Sequence, residues 1–194
     1  MAGMTTARLV LRQPSEADLK AIFDVHRSPE TNVHNPAGPM THPAEAVSRL
    51  AEWQRGWLEH GYGYWTVARL DRPETVVGFG GVMKKQITPE LFDNNLYFRF
   101  RPEAWGQGYA GELVEAALKH TFGELAQEHI FGMTRPNNTA SRKTLERAGF
   151  RYFSTAEATE DVESDEPSVL YVLERQAFED DNRNRNVTDV FEAT

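Results

Sequence analysis

The stretch RFRPEAWGQGYAGELVEAALKHTF, residues 99–122, constrains the fold more than any other part of this 194-residue chain. It places Gly106, Gly108 and Gly111 between a run typical of a β-strand and a run with the periodicity of an amphipathic helix. Glycines at the start of a helix leave backbone N–H groups free at the positive end of the helix dipole, and such groups favour an anion. The stretch therefore predicts a strand, a turn that could bind pyrophosphate, and a helix.

The same glycines spell GxGxxG, the fingerprint of dinucleotide-binding proteins. That fingerprint belongs in a βαβ unit with an acidic residue about 20 positions further on, at the end of the next strand. The next predicted strand, HIFGMT, ends at Thr134 and is followed by Arg135 instead of a carboxylate. Arg135 could bind a 2′-phosphate, so an NADP-binding enzyme remains an alternative, as does a tight turn without any ligand.

The remaining chain alternates between strand and helix patterns. Ser15 is a candidate N-cap for the first helix, Gly61 a stop for the second, and Asp71 to Glu74 a turn that predicts an antiparallel hairpin. An acidic loop, 157–166, separates the last two strands. The predicted strands are ARLVLRQ, GYWTVARL, TVVGFGGVM, NNLYFRFR, HIFGMT, RYFSTAEAT and VLYVLER, and the helices begin at Ser15, at Pro43, after the glycine stretch and at NNTASRKTLERAGF.

Composition excludes several classes of function. The chain has no cysteine, which removes thiolate metal sites and a cysteinyl intermediate, and its six histidines lack the spacing of metal ligands. A net charge of −8 disfavours a nucleic-acid surface. No apolar run is long enough to cross a bilayer, so we expect a soluble, cytoplasmic protein. Residues 1–176 read as a single domain, and 177–194 as a polar tail that is either disordered or docks on a partner.

Four segments resemble the GNAT N-acetyltransferases, and among them the ribosomal-protein N-terminal (alanine) acetyltransferases and their small-molecule relatives. These segments are ARLVLRQPSEADL, TVVGFGGV, RPEAWGQGYAGEL and RPNNTASRKTLERAGF. The resemblance implies an α/β (α+β) fold with a mixed central sheet of about seven strands and about four flanking helices. The sheet would be mostly antiparallel, with a splayed parallel pair formed by its fourth and fifth strands. Acetyl-CoA as co-substrate, an amine acceptor, and a monomer or homodimer are also implied.

The resemblance also assigns cofactor contacts. Backbone groups of Phe98 and Phe100 would hold pantetheine and the thioester, and Asn138 and Ser141 match the family's N-x-A-S segment, facing the thiol end of the cofactor. Trp105 stands where the family frequently has Arg or Gln. The loop residues that would surround the pyrophosphate are Trp105, Gly106, Gln107, Gly108, Tyr109, Ala110 and Gly111.

The catalytic positions depart from the family pattern. Asn95 occupies the place of a frequent Glu, and an amide cannot accept a proton as a carboxylate does. Leu145 occupies the place of a tyrosine that protonates the thiolate, which leaves Ser141 as the best donor near sulfur. His34, Glu52 and Glu103 are possible bases through water, although Glu52 is expected on the outer face of its helix.

Two functions remain open from these residues. One is direct acetyl transfer to a primary amine in a ternary complex, with a preference for an amine of low pKa. The other is a non-catalytic acyl-CoA-binding or regulatory module.

Overall fold

The computed structural model describes residues 3–156 and 167–192, so the predicted acidic loop lies outside the described residues. Within the described part, one mixed sheet contains eight strands in the order β1-β2-β3-β4-β5-β6-β8-β7. The strands are β1 Met4–Thr5, β2 Leu9–Arg12, β3 Tyr64–Arg69, β4 Val76–Thr88, β5 Leu91–Phe100, β6 His129–Thr134, β7 Arg151–Ala156 and β8 Ser168–Glu174. The predicted mixed sheet is confirmed, with one more strand because Met4–Thr5 pairs with β2.

The described helices pack on both faces of this sheet. They are α1 Leu19–Arg27, α2 Pro43–His60, α3 Tyr109–Leu118, α4 Thr139–Arg147 and α5 Arg175–Glu192. Three single 3₁₀ turns, Glu16–Asp18, Glu30–Asn32 and Pro102–Ala104, and a π-helical turn, Lys119–Glu124, connect the elements. None of the helices in the described part of the chain is long and apolar enough to cross a membrane.

Local sequence signals explain most of the element boundaries. The Ser15 N–H donates to the Asp18 carboxylate at 2.9 Å, so the predicted capping is present, although a 3₁₀ turn precedes α1. Gly61 ends α2 in the left-handed conformation with a φ of 77°, as predicted. The hairpin of β3 and β4 is also confirmed.

One boundary was predicted wrongly. β4 continues through Lys84, Lys85 and Gln86 to Thr88, because these polar residues pair with the start of β5 although they lack an alternating pattern. The segment predicted as a polar tail, either disordered or docking on a partner, lies largely in α5, and Phe178 on this helix lies 5.1 Å from Phe122, measured between ring centroids. Whether this segment docks on a partner stays a prediction.

The parallel pair of the sheet is short. β5 and β6 pair only at Asn95 with Phe131 and at Leu96 with Gly132. β5 continues four residues beyond Leu96, to Phe100, while α3 covers one face of the sheet and α1 and α2 cover the other. The two strands therefore separate towards the carboxyl end of β5, as the predicted splay requires.

Candidate active site

The glycine loop forms an open cradle at the start of α3. Gly106 and Gly108 have φ values of 72° and 78°, which only glycine adopts without strain. α3 begins at Tyr109 directly after Gly108, and the first backbone bond of the helix runs from the Glu112 N–H to the Gly108 carbonyl. In the described structure, the N–H groups from Gly106 to Gly111 have no protein acceptor. This arrangement can bind an anion by several N–H groups at once.

Arg8 fixes the shape of this loop. Its Nη1 donates to the Gln107 carbonyl at 2.8 Å, its Nε donates to Glu112 at 2.7 Å, and its guanidinium lies 4.9 Å from the centre of the Tyr109 ring. No local sequence pattern predicts this role, because the contact joins position 8 to the loop at position 107. The available signal was a basic residue near the start of the first predicted strand, ARLVLRQ.

The gap between β5 and β6 leaves backbone groups free next to the loop. The Arg101 N–H donates to the Val77 carbonyl, and the antiparallel ladder alternates from there, so Phe98 and Phe100 direct their N–H and C=O groups away from β4 and into the gap. The Trp105 indole N–H donates to the Phe100 carbonyl at 2.9 Å. Trp105 thus anchors the loop to β5 through its side chain, while the Phe98 groups remain open.

The start of α4 gathers three of the predicted site residues. The Asn138 side chain accepts the Ser141 N–H at 3.1 Å and so caps the helix. Ser141 is partly buried, and its hydroxyl has no hydrogen-bond partner within the described residues. His34, from the loop between α1 and α2, lies with Nδ1 3.0 Å from the Asn137 Oδ1. An amide oxygen only accepts, so Nδ1 is the donor of this bond, and in the neutral imidazole Nε2 is then the acceptor.

The side chain of Asn95 forms its hydrogen bond with Tyr64, away from the start of α4. It is buried and donates from Nδ2 to the Tyr64 hydroxyl at 2.7 Å. The pKa of Tyr64 is raised by its burial. Asn95 therefore joins a polar layer between the sheet and α2, and its described contacts do not include Ser141 or His34.

A pocket of about 340 Å³ opens on the face of the sheet covered by α1 and α2. His26 lines it and donates from Nδ1 to the Ile22 carbonyl at 2.7 Å, while its Nε2 accepts the Tyr97 hydroxyl at 2.9 Å. Burial, followed by the positive charges of Arg99 and Arg49, lowers the pKa of His26 to about 3, so the imidazole is neutral at physiological pH.

The structure shows where the two glutamates considered as bases, Glu52 and Glu103, lie. Glu52 lines the pocket instead of the outer face of α2, because α2 turns the side bearing Arg49 and Glu52 towards the loop between the first two helices. Glu103 lies in the 3₁₀ turn that leads into the glycine loop, as expected. Trp53 is fully buried in the core, and Leu145 packs beside Gly132.

Arg135, the possible ligand of a 2′-phosphate, is buried and contacts β8. It is 7% exposed, and its Nη1 lies 3.4 Å from the Ser168 hydroxyl. Its guanidinium is thus directed towards β8, on the far side of β6 from the gap.

Comparison with known proteins agrees with this geometry. The family model described as "Acetyltransferase (GNAT) domain" matches residues 8–151. A relative from Bacillus subtilis (strain 168), named "Uncharacterized N-acetyltransferase YoaA", is 25% identical over 150 residues, which are 76% of this chain and 82% of the relative.

Two solved structures show the same fold. An acetyltransferase of the GNAT family from Bacillus anthracis has a TM-score of 0.73 at 19% identity, covering 90% of this chain and 99% of its own. RimL, titled a ribosomal L7/L12 alpha-N-protein acetyltransferase in complex with coenzyme A, has a TM-score of 0.68 at 16% identity, covering 88% and 96%.

The match over most of its length shows that the chain belongs to the GNAT acetyltransferase family. It is an N-acetyltransferase, an enzyme that uses acetyl-CoA as its co-substrate and transfers the acetyl group to an amine.

Proposed function

We propose that the protein transfers acetyl directly from acetyl-CoA to an α-amino group in a ternary complex. The observation that carries this proposal is the gap between the parallel strands β5 and β6, which widens towards their carboxyl ends, where β5 is followed by the glycine loop and β6 by the start of α4. RimL has the same fold and is named an alpha-N-protein acetyltransferase, and this likeness in fold motivates the choice of an α-amine as acceptor.

In this proposal the cofactor lies along the gap. Its pyrophosphate binds the N–H groups from Gly106 to Gly111, a loop held in place by Arg8. Pantetheine extends along β5 and exchanges hydrogen bonds with the free backbone groups of Phe98 and the N–H of Phe100. The thioester then lies near Asn138 and Ser141. All of these are contacts that an extended amide chain makes with a strand edge.

The chemistry needs one bond formed and one broken. The neutral amine nitrogen attacks the thioester carbonyl, a C–N bond forms, and the C–S bond breaks to release the CoA thiolate. The amine loses a proton to a base or to water, and the Ser141 hydroxyl, which has no other described partner, donates a proton to sulfur and regains one from water. No covalent bond to the enzyme is needed.

The environment of Asn95 favours an acceptor that is easily deprotonated. Its Nδ2 is engaged with Tyr64, and an amide provides no base in any case. Deprotonating a lysine of pKa about 10.4 at pH 7 costs roughly 4–5 kcal/mol, whereas an α-amine of pKa about 7.7–8.0 costs only about 1 kcal/mol. His34 supplies the remaining basicity through Nε2, acting through water.

Peptide acceptors test this proposal. We expect acetylation of a peptide with a free N-terminus and no lysine, and little acetylation of an N-terminally blocked peptide with an internal lysine, measured as thiol release from acetyl-CoA. The rate with the free N-terminus should rise with pH until its amine is deprotonated, and Asn95→Glu should improve the lysine peptide more than the free N-terminus.

The contrary outcomes are distinct. Efficient acetylation of the blocked peptide would overturn the choice of acceptor and imply a base elsewhere. Calorimetric titration with acetyl-CoA and with NADPH separates the alternatives: acetyl-CoA binding without turnover on any amine would indicate a non-catalytic module, and a preference for NADPH would overturn the cofactor site.

A further inference from the structure

Among the charged side chains that line the 340 Å³ pocket, some have a partner of opposite charge and others do not. The pocket brings together Arg49, Arg99, Glu45 and Glu52, with Lys85 close enough to interact electrostatically with Glu52 and Arg49. In a chain with a net charge of −8, two arginines around one small cavity stand out. The volume is at the lower end of the roughly 300–1,000 Å³ typical of pockets for small ligands.

The two carboxylates already have partners. Glu45 accepts the backbone N–H groups of Thr41 and His42 at 2.8 and 2.7 Å, as the acidic member of the capping box that starts α2. Glu52 forms an ion pair with Arg49 at 3.6 Å and also attracts Lys85. Glu52 is thus paired with Arg49 and Glu45 is held by backbone donors, and neither forms an ion pair with Arg99.

Arg99 has no acidic partner. Its Nη1 donates to the Asn32 Oδ1 at 3.1 Å, and its guanidinium lies 5.9 Å from the centre of the Tyr97 ring. No carboxylate of the described residues lies within 4.0 Å of it. A guanidinium carries five N–H donors, so one contact with a neutral amide leaves a fork that can bind a carboxylate in two places. Arg99 is only partly buried and faces the pocket, so a carboxylate that enters the pocket can form a charge-assisted hydrogen bond with its free N–H donors.

Arg99 lies on β5, the strand that borders the proposed cofactor gap. Arg99 follows Phe98, whose backbone groups face the gap, and a residue of a β-strand advances about 3.4 Å. Asn95, Tyr97 and Arg99 alternate with Leu96 and Phe98, so their side chains share the face that α1 and α2 cover. A group bound by Arg99 would therefore lie on the α1 and α2 face of the same strand that borders the gap.

We infer that the amine acceptor carries a carboxylate close to its amine and that Arg99, assisted by Arg49, binds this carboxylate in the pocket. The inference rests on the function proposed above, since it takes the pocket as the acceptor site. The carboxylate could be the α-carboxylate of a free amino acid or the side chain of an acidic first residue in a peptide. Both place the charge two to four bonds from the amine carbon.

Matched acceptors distinguish these sources. One pair is a C-terminally amidated peptide beginning with Asp and the same peptide beginning with Asn; the other is a free amino acid, alanine, and alaninamide. Rates at saturating acetyl-CoA are corrected for the fraction of neutral amine. We expect the carboxylate member of one pair to have the higher kcat/KM by about 10- to 100-fold, the range of a charge-assisted hydrogen bond, and the pair that shows it identifies the source.

Variants assign the preference to Arg99. Arg99→Met and Arg49→Met should lower the ratio of kcat/KM for the acid over its amide, mainly through KM, with the larger effect at position 99. Arg99→Lys should keep part of the preference, because it retains charge but loses the fork. Arg55→Met is the matched control: Arg55 is exposed on the same helix, outside the pocket lining, so its replacement removes one charge and should leave the ratio unchanged.

The outcomes separate this inference from the proposed function. Acetylation of peptide N-termini or amino acids with equal efficiency for acids and amides would overturn the inference alone. The same holds if a carboxylate preference survives in both methionine variants. Failure to bind acetyl-CoA in calorimetry would overturn the proposed function and, with it, the inference.

Discussion

At the start of α4, the Asn138 side chain caps the helix, and the Ser141 hydroxyl takes no part in the cap. Asn138 caps the helix through its side chain, and Ser141 contributes only its backbone N–H to that cap. The hydroxyl of Ser141 is therefore dispensable for the helix. This separation allows a catalytic role to be tested without loss of stability.

Ser141→Ala should lower kcat by up to about 10²- to 10⁴-fold if the hydroxyl protonates the leaving thiolate. The melting temperature should change little, because the Asn138 cap remains. Steady-state rates and thermal unfolding of the same preparation provide the measurement. Thr144→Ala is the control, since this hydroxyl of α4 donates to the Ala140 carbonyl within the helix.

An unchanged kcat in Ser141→Ala, with the chemical step shown to limit the rate, would remove the serine from the mechanism. Rescue of activity by Ser141→Thr would support the need for a hydroxyl at this position.

At the level of elements, the loop between β5 and α3 depends on backbone conformation. Gly108 has a φ of 78°, and a Cβ at this position would lie 3.4 Å from Nη2 of Arg8. Gly61 at the end of α2 has nearly the same φ, 77°, but a Cβ there would meet no atom within 4 Å. The two glycines thus share a left-handed backbone conformation and differ in their surroundings.

Gly108→Val should weaken acetyl-CoA binding by about tenfold or more, because the side chain displaces Arg8 and blocks approach of the pyrophosphate to the N–H groups. Gly61→Val should carry a similar strain, about 1–2 kcal/mol, without loss of affinity. Calorimetry with acetyl-CoA measures the affinity, and urea unfolding measures the strain. Equal acetyl-CoA affinity of Gly108→Val and the unmodified protein would show that the loop does not bind the cofactor.

At the scale of the whole molecule, the buried His26 makes the free energy of unfolding depend on pH. It is 2% exposed, contacts Trp53, Phe79 and Tyr97 through its ring, and is uncharged at neutral pH because burial lowers its pKa to about 3. An unfolded histidine has a pKa of about 6.5. Below pH 6.5 the unfolded chain therefore binds a proton that the folded protein excludes.

The free energy of unfolding should be fully retained above about pH 6.5 and should fall as the pH drops towards 3. At pH 5 the loss from this residue is about 2 kcal/mol. Urea unfolding at pH 7.5 and 5.0 measures it. His26→Gln should be less stable at pH 7.5, because it loses ring contacts, but its stability should depend less on pH over this range.

His129→Gln is the control, because His129 is exposed on β6 and should leave the pH dependence as it is in the unmodified protein. An equally steep loss of stability in His26→Gln would show that other groups cause the acid sensitivity.

The sequence by itself determined what depends on local order. Turn residues, caps and periodicity gave the order of strands and helices, and the glycines at 106 and 108 predicted a helix start with free N–H groups. These features follow from interactions among residues a few positions apart, which a single sequence displays. The family resemblance added the splay and the acetyl-CoA chemistry.

Only the tertiary structure decided which distant residues meet. Arg8 reaches Gln107, His34 reaches Asn137, and Arg99 lies opposite α2 without an acidic partner, and each contact joins segments separated by tens of residues. Likewise, Glu52 faces a pocket, and the polar end of the chain folds into α5 and packs Phe178 on Phe122. Local patterns cannot show these pairings, because they depend on how the sheet twists and where the helices pack against it.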